Sequence, residues 1–339
     1  MKTDKKHIGI LGAGSWGSAL AVLLNRNGHD VCLWEFDRQR SAKLAEARED
    51  SDFLPGVRLP EDIAVTSDLS RAAGGKDMLL FVVPSHVVRS LAGKVAQYNI
   101  QGATVVSCSK GIENKSLMRL SQVLHESIPG IDEEHIAVLS GPSHAEEVGR
   151  GIPTAVVAAS ISEKTACTVQ SVCMNEVFRV YTSTDIIGVE LGGALKNVIA
   201  IAAGISDGVG CGDNTKAALI NRGMVELTRL GTAMGADPMT FAGLSGMGDL
   251  IVTCTSRHSR NRYVGEQIGR GKSLSEILEK MVMIAEGVKT TQSVHDLSER
   301  LGVDTPISRQ VFEVLFDGKN PGCAVKDLMT RDPKQETWG

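Results

Sequence analysis

Aromatic residues occupy only 4% of the 339 positions, so any core must be mostly aliphatic. No stretch of eighteen uninterrupted apolar residues occurs. The nearest, from Leu191 to Ile205, is short and carries Lys196, so no membrane span is expected. Basic excess is also missing: 36 Lys and Arg face 40 Asp and Glu, for a net charge of −4. That removes the electrostatic footprint of a nucleic-acid binder and the polybasic patch of a membrane-surface protein. The seven cysteines are odd in number and scattered, without a CxxC pair or Cys/His spacing. No metal site is expected, and reduced thiols of a cytoplasmic protein are the default. After Lys6 no apolar signal core follows, because Ile8 opens a run that soon meets glycines.

What is present is a change of class along the chain. The first half alternates short apolar runs with helical patterns. The runs are His7–Gly14, which ends in glycines, Val31–Trp34, Asp77–Val83, Ala103–Ser107, Ile136–Ser140, Thr154–Ala158 and Phe178–Tyr181. Continuous apolar strands alternating with helices predict an α/β, doubly wound, mostly parallel sheet of the Rossmann type over residues 1–185. Beyond residue 185 the strand signal stops. Asp185–Asp207, Asp213–Met234, Arg260–Arg270, Leu274–Lys280, Val288–Arg300 and Ile307–Phe316 all have helical patterns, with Asp213 and Ser273 as caps. An all-α second domain over 186–339 is expected, with a cleft between the two.

The first strand runs into Gly12-Ala-Gly14-Ser15-Trp16-Gly17, followed by a helix. The strand, glycine-turn, helix order is what a GxGxxG dinucleotide site requires. Gly12 permits the turn, Gly14 admits a pyrophosphate, and Gly17 lets the helix pack close. Glu35 stands at the end of the second strand, twenty-one positions after Gly14, close to the spacing of about 20 for the acid that meets the adenosine ribose. A carboxylate there repels a 2′-phosphate, which favours NAD. Arg38 and Arg40 lie nearby and offer a route to NADP.

Polar turns end several strands: Pro84-Ser-His86, Ser109-Lys110-Gly111 and Gly141-Pro-Ser143. In such sheets ligands bind beyond the carboxyl ends of the strands, so Lys110 is a candidate for an anionic substrate or for the cofactor. It is equally a solvated loop lysine. His86 and His144 are turn or cofactor-side residues rather than acids. In the helical half, Lys196 and Asn197 interrupt the apolar stretch Val189–Gly204. A buried ammonium there either snorkels out, closes a structural ion pair, or moves a proton. Three polar clusters break the helical pattern: Ser206–Lys216, Leu244–Asp249 and Thr255–Arg262, the last with three arginines in eight residues. Arginines beside Ser and Asn at a helix start suit a phosphate, or make an exposed basic face.

Together these stretches resemble the bacterial-type NAD(P)-dependent sn-glycerol-3-phosphate dehydrogenase family. The matching residues are Gly12–Gly17, Ser109–Gly111, Ser140–Ser143, Leu195–Asn197, Gly212–Lys216, Gly248-Asp249, Ser259–Asn261 and Ala285–Gly287, in the family's order across almost the whole chain. The resemblance implies reversible reduction of dihydroxyacetone phosphate to sn-glycerol 3-phosphate by NAD(P)H, for phospholipid synthesis. It implies Lys196 as the proton donor and acceptor. It implies substrate contacts at Lys110, Gly141, Ser143, Asp249, Ser259, Arg260 and Asn261, with Arg260 and Asn261 gripping the phosphate. Cofactor contacts are implied at Ser15, Trp16, Lys110, Ala145, Arg260, Ile284 and Glu286. Where the family often places His or Arg after the second strand, this chain has Glu35-Phe36-Asp37, which disfavours NADP(H). The expected partner is a small molecule, with no nucleic acid, and a homodimer would follow base rates. A different Rossmann-plus-helical dehydrogenase, of the β-hydroxyacid or ketopantoate reductase type, is the alternative. The arginine cluster and Gly212-Asp-Asn-Thr215 argue against it.

Overall fold

The computed structural model describes residues 4–281, 285–333 and 335–336. The chain divides into two compact units, Met1–Lys110 with Met118–Val189, and Gly111–Leu117 with Glu190–Gly339. The excursion of residues 111–117 into the second unit carries no composition signal, and nothing in the sequence pattern anticipates it.

The first unit holds eight strands: β1 (His7–Leu11), β2 (Asp30–Trp34), β3 (Ala64–Thr66), β4 (Met78–Phe81), β5 (Thr104–Ser107), β6 (Ile136–Ser140), β7 (Thr154–Ala159) and β8 (Phe178–Ser183). Its helices are α1 (Ser15–Arg26), α2 (Arg38–Ala47), α3 (Leu69–Ala73), α4 (Val88–Val95), α5 (Leu120–Ser127), α6 (Ala145–Gly149) and α7 (Glu163–Cys173). The strand order is β3-β2-β1-β4-β5-β6-β7-β8, parallel throughout except where β6 meets β7. This is the expected doubly wound sheet. β3, three residues long, is too short to have been read from its pattern. β4 and β5 are buried at every position, which explains their unbroken apolar runs. β8 lies at the sheet edge and alternates buried with exposed over its first four residues.

The direction of winding reverses at β1, which pairs with β2 on one side and β4 on the other. The glycine turn leaves β1 at that reversal, where an open α/β sheet forms its ligand crevice.

The second unit is helical: α8 (Ile186–Val209, whose first turn begins in the first unit), α9 (Asp213–Ala233), α10 (Pro238–Phe241), α11 (Asp249–Thr255), α12 (Arg260–Gly269), α13 (Leu274–Glu279), α14 (Glu286–Leu301), α15 (Pro306–Phe316) and α16 (Pro321–Met329). Leu244–Gly248 forms a π-helical turn that feeds α11, so this polar cluster continues a helix instead of breaking one. Ser273 caps α13 in a full capping box, but Gly212, not Asp213, is the N-cap of α9. By length and composition α8 could cross a membrane. It is instead almost wholly buried inside the protein.

Glycines let α8 sit backbone to backbone against α12. A Cβ on Gly204 would strike the Arg262 carbonyl oxygen, and one on Gly265 would strike that of Ile201. Gly208 and Gly269 face each other in the same seam, where a Cβ on either would lie 2.8 Å from the other's Cα. At the other end of α8, Gly192 meets the Ser245 carbonyl. These close approaches bring the π-helical turn, α11 and the start of α12 onto the Lys196 face of α8.

Candidate active site

In the first unit, Gly12 turns the chain out of β1 at φ +122°, a conformation that only glycine adopts readily. A Cβ on Gly17 would collide with the Gly12 carbonyl, whereas one on Gly14 would meet nothing within 4 Å. The two positions therefore differ: Gly17 is needed for packing, and Gly14 leaves space. Among the described residues no side chain caps the first turn of α1, and Nε1 of Trp16 is buried without a hydrogen-bond partner. Open space, uncapped N–H groups and an orphaned donor fit the pyrophosphate of a dinucleotide at this helix end. Ala145 begins α6, which packs against α1.

Glu35 follows β2, only 2% exposed. Its carboxylate accepts from the Arg40 guanidinium and, at 3.1 Å, from the Asp37 N–H. Arg40 also donates to Asp50 and, at 2.7 Å, to the Ala13 carbonyl of the glycine turn. Arg40, read from sequence as a route to NADP, is thus engaged by two carboxylates. Phe36, next in the chain, is 76% exposed. Lys110, after β5, donates to the Gly141 carbonyl at 2.9 Å and to Ser143 Oγ at 3.4 Å. Three of the implied substrate residues therefore meet in one cluster at the carboxyl ends of β5 and β6.

In the second unit, Lys196 is 4% exposed. Of the three readings open to it, burial rules out snorkelling. Its Nζ lies 3.2 Å from Asp249 Oδ1 and donates to Thr253 Oγ1 at 2.6 Å and to Asn197 Oδ1 at 3.3 Å. Asp249 and Thr253 stand one turn apart on α11, so both face the ammonium. The Thr253 hydroxyl in turn donates to the Asp249 carbonyl at 2.6 Å. Thr253 was missed from sequence. The signal available was its i+4 spacing from Asp249. Asn197 also enters the network: Asn261 Nδ2 donates to its Oδ1 at 2.8 Å, and Asn261 Oδ1 accepts from the Gly287 N–H at 2.9 Å.

Ser259 caps α12 through the Arg262 N–H, which leaves Arg260 as the first helical residue, on the exposed surface. Glu286 opens α14 beside Gly287. Ile284 lies outside the described residues. Of the three clustered arginines, Arg262 is bound to Asp207 at 2.6 Å, and Asp207 also holds Lys216 at 2.6 Å. Part of the basic cluster is therefore an internal tie between α8, α9 and α12. Cys254 is fully buried, and burial pushes its thiol up to about 12, so it is no nucleophile. A cavity of about 460 Å³ in this unit is lined by Ile205, Leu219, Val311 and Leu328 and is not bordered by Lys196, Asp249 or Arg260.

The chain matches the N-terminal part of NAD-dependent glycerol-3-phosphate dehydrogenase over residues 7–166 and its C-terminal part over residues 185–326. It belongs to that family. Glycerol-3-phosphate dehydrogenase [NAD(P)+] of Prosthecochloris aestuarii is 53% identical over 97% of this chain and 99% of its own length. The enzyme of Chlorobium limicola is 52% identical over 98% of this chain and 100% of its own. The crystal structure of glycerol-3-phosphate dehydrogenase from Coxiella burnetii superposes with a TM-score of 0.92 at 36% identity, covering 96% of this chain and 99% of that one. Membership makes the protein an oxidoreductase with a nicotinamide cofactor, and sets aside the ketopantoate reductase alternative.

Proposed function

We propose that the protein interconverts dihydroxyacetone phosphate and sn-glycerol 3-phosphate, using NADH in preference to NADPH, in the cytoplasm and for phospholipid synthesis. The observation that carries the reaction is the buried Lys196 ammonium, held by a carboxylate and a hydroxyl. The bound nicotinamide would supply the hydride to C2 of the ketone. As that oxygen gains negative charge, Lys196 stabilises it and delivers the proton. Asp249 aims the lysine, and Thr253 and Asn197 fix its other two directions. Arg260 holds the phosphate as a two-pronged donor. Asn261 contributes less to that grip, since its amide already serves Asn197 and Gly287. Gly14, Ser15 and Trp16 bind the pyrophosphate end of the cofactor, and Lys110 with Ser143 adds positive charge and hydroxyl character for an anionic ligand.

The NADH preference rests on the end of β2. Glu35 and Asp50 hold the Arg40 guanidinium there, Asp37 accepts the Arg40 backbone N–H, and Phe36 brings no charge. That field disfavours a dianionic 2′-phosphate.

The test is oxidation of NADH with dihydroxyacetone phosphate, with NADPH in parallel. Turnover with NADH that exceeds turnover with NADPH is expected. No turnover with either cofactor would refute the proposed reaction, and faster turnover with NADPH would refute only the preference.

A further inference from the structure

We propose that Arg40 is a captive guanidinium whose two carboxylate partners, Glu35 and Asp50, set the cofactor choice by denying it to a 2′-phosphate. The inference deepens the NADH reading above and rests on it. Arginine near the end of the second strand is the residue type that recognises a 2′-phosphate. Arg40 sits in the first turn of α2, whose N-cap is Asp37. Its Nη1 goes to Glu35, and its Nη2 goes to Asp50 and to the Ala13 carbonyl. The guanidinium plane lies 4.1 Å from the centre of the Phe53 ring, which holds its flat face. Both faces of the discrimination are thereby built in. The positive charge is met by two carboxylates, and three of its five N–H groups already have acceptors.

Asp50 is the less obvious half of this lock. It lies fifteen positions beyond Glu35, in the segment after α2, outside any motif. Its Oδ1 accepts the N–H groups of Asp52 (3.1 Å) and Phe53 (3.0 Å), leaving Oδ2 for Arg40. The Phe53 carbonyl then accepts from Ser15 Oγ at 2.6 Å. One short segment, residues 50–53, therefore ties the guanidinium at the end of β2 to the first residue of the phosphate-facing helix. Removing the negative charge from Asp50 Oδ2 would free one edge of Arg40 while keeping Oδ1 as the turn's acceptor.

The experiment measures binding rather than turnover: dissociation constants for NADH, NADPH, ADP-ribose and 2′-phospho-ADP-ribose, by calorimetry on the whole protein. Wild type is expected to favour the ligands without the 2′-phosphate by about 10²-fold or more. Asp50→Asn should tighten both 2′-phosphate ligands by roughly tenfold, one hydrogen-bonded ion pair's worth. NADH affinity should change much less. Glu35→Gln should act in the same direction, and provides a second route if Asp50→Asn unfolds, which thermal melting would reveal. Adding Arg40→Met to either variant should abolish the gain. A gain that survives without Arg40, or no gain in two folded single variants, would overturn the proposal. Equal wild-type affinity for NADH and NADPH would also overturn it, while leaving the proposed reaction standing. Failure of wild type to bind any of the four ligands would instead sink the dehydrogenase reading itself.

Discussion

At the scale of single residues, the second unit is organised around one charge. Lys196 is buried where an unpaired ammonium would be costly, and Asp249 with Thr253 meets it. Replacing Lys196 with Ala is expected to lower kcat by about 10²-fold or more, with NADH affinity by calorimetry nearly unchanged. Near-normal kcat would remove Lys196 from the chemistry. Thr253→Val removes a hydroxyl that both accepts from the lysine and donates to α11, and should lower kcat by roughly tenfold or more. Thr253→Ser should restore most of it, because only the hydroxyl is at issue. Lys196 was legible in the sequence because a lysine in an otherwise apolar helix is anomalous without any structure. Thr253 was not, since a threonine on a helix is ordinary until its partner is known. Arg40 was legible as a nearby cation but not as a captive one, because Asp50 has no motif to mark it.

At the scale of elements, the site depends on how closely α8 and α12 approach. The seam of Gly204, Gly208, Gly265 and Gly269 has no room for a methyl group, and backbone atoms are what it would strike. Gly265→Ala should therefore cost about 1–3 kcal/mol, read as a fall of several degrees in Tm. Gly93 makes the opposite case. It lies in α4 with nothing within 4 Å of an added Cβ, so Gly93→Ala should be neutral or raise stability by up to about 1 kcal/mol. Equal effects at the two sites would mean that helix propensity, not the seam, controls the response. Strands β1, β4 and β5 were legible because a sheet covered on both faces demands unbroken apolar runs. The π-helical turn at Leu244–Gly248 was not. Its Gly and Ser content signals a break, and only the packing of Gly192 and Gly246 against backbone explains why it stays helical.

At the scale of the whole molecule, stability should carry a pH signature from outside the site. Glu226 on α9 is 3% exposed, and its carboxylate accepts from the N–H groups of Ile307 and Ser308 and from Ser308 Oγ at the start of α15. Burial pushes it up to about 7, against the pull of those hydrogen bonds. The unfolded carboxyl returns to 4.5, so between the two values the native state holds the extra proton. The contribution of this group to stability is present below 4.5 and is lost as pH rises through about 7. Melting curves between pH 4.5 and 8 should show that loss, up to about 3 kcal/mol, and Glu226→Gln should flatten it. Identical slopes would place the dependence elsewhere.

The excursion of residues 111–117 also bears on the order in which the protein is made. Asn114 donates to the carbonyl of Lys289, 175 positions later, and Ile112 in the same segment is 1% exposed in the finished fold. At ribosomal speed that separation is roughly ten to thirty seconds. Through that interval the nascent chain can complete its sheet, while Asn114 still lacks that acceptor. The link between β5 and β6, next to Lys110, is thus the last piece of the first half to settle.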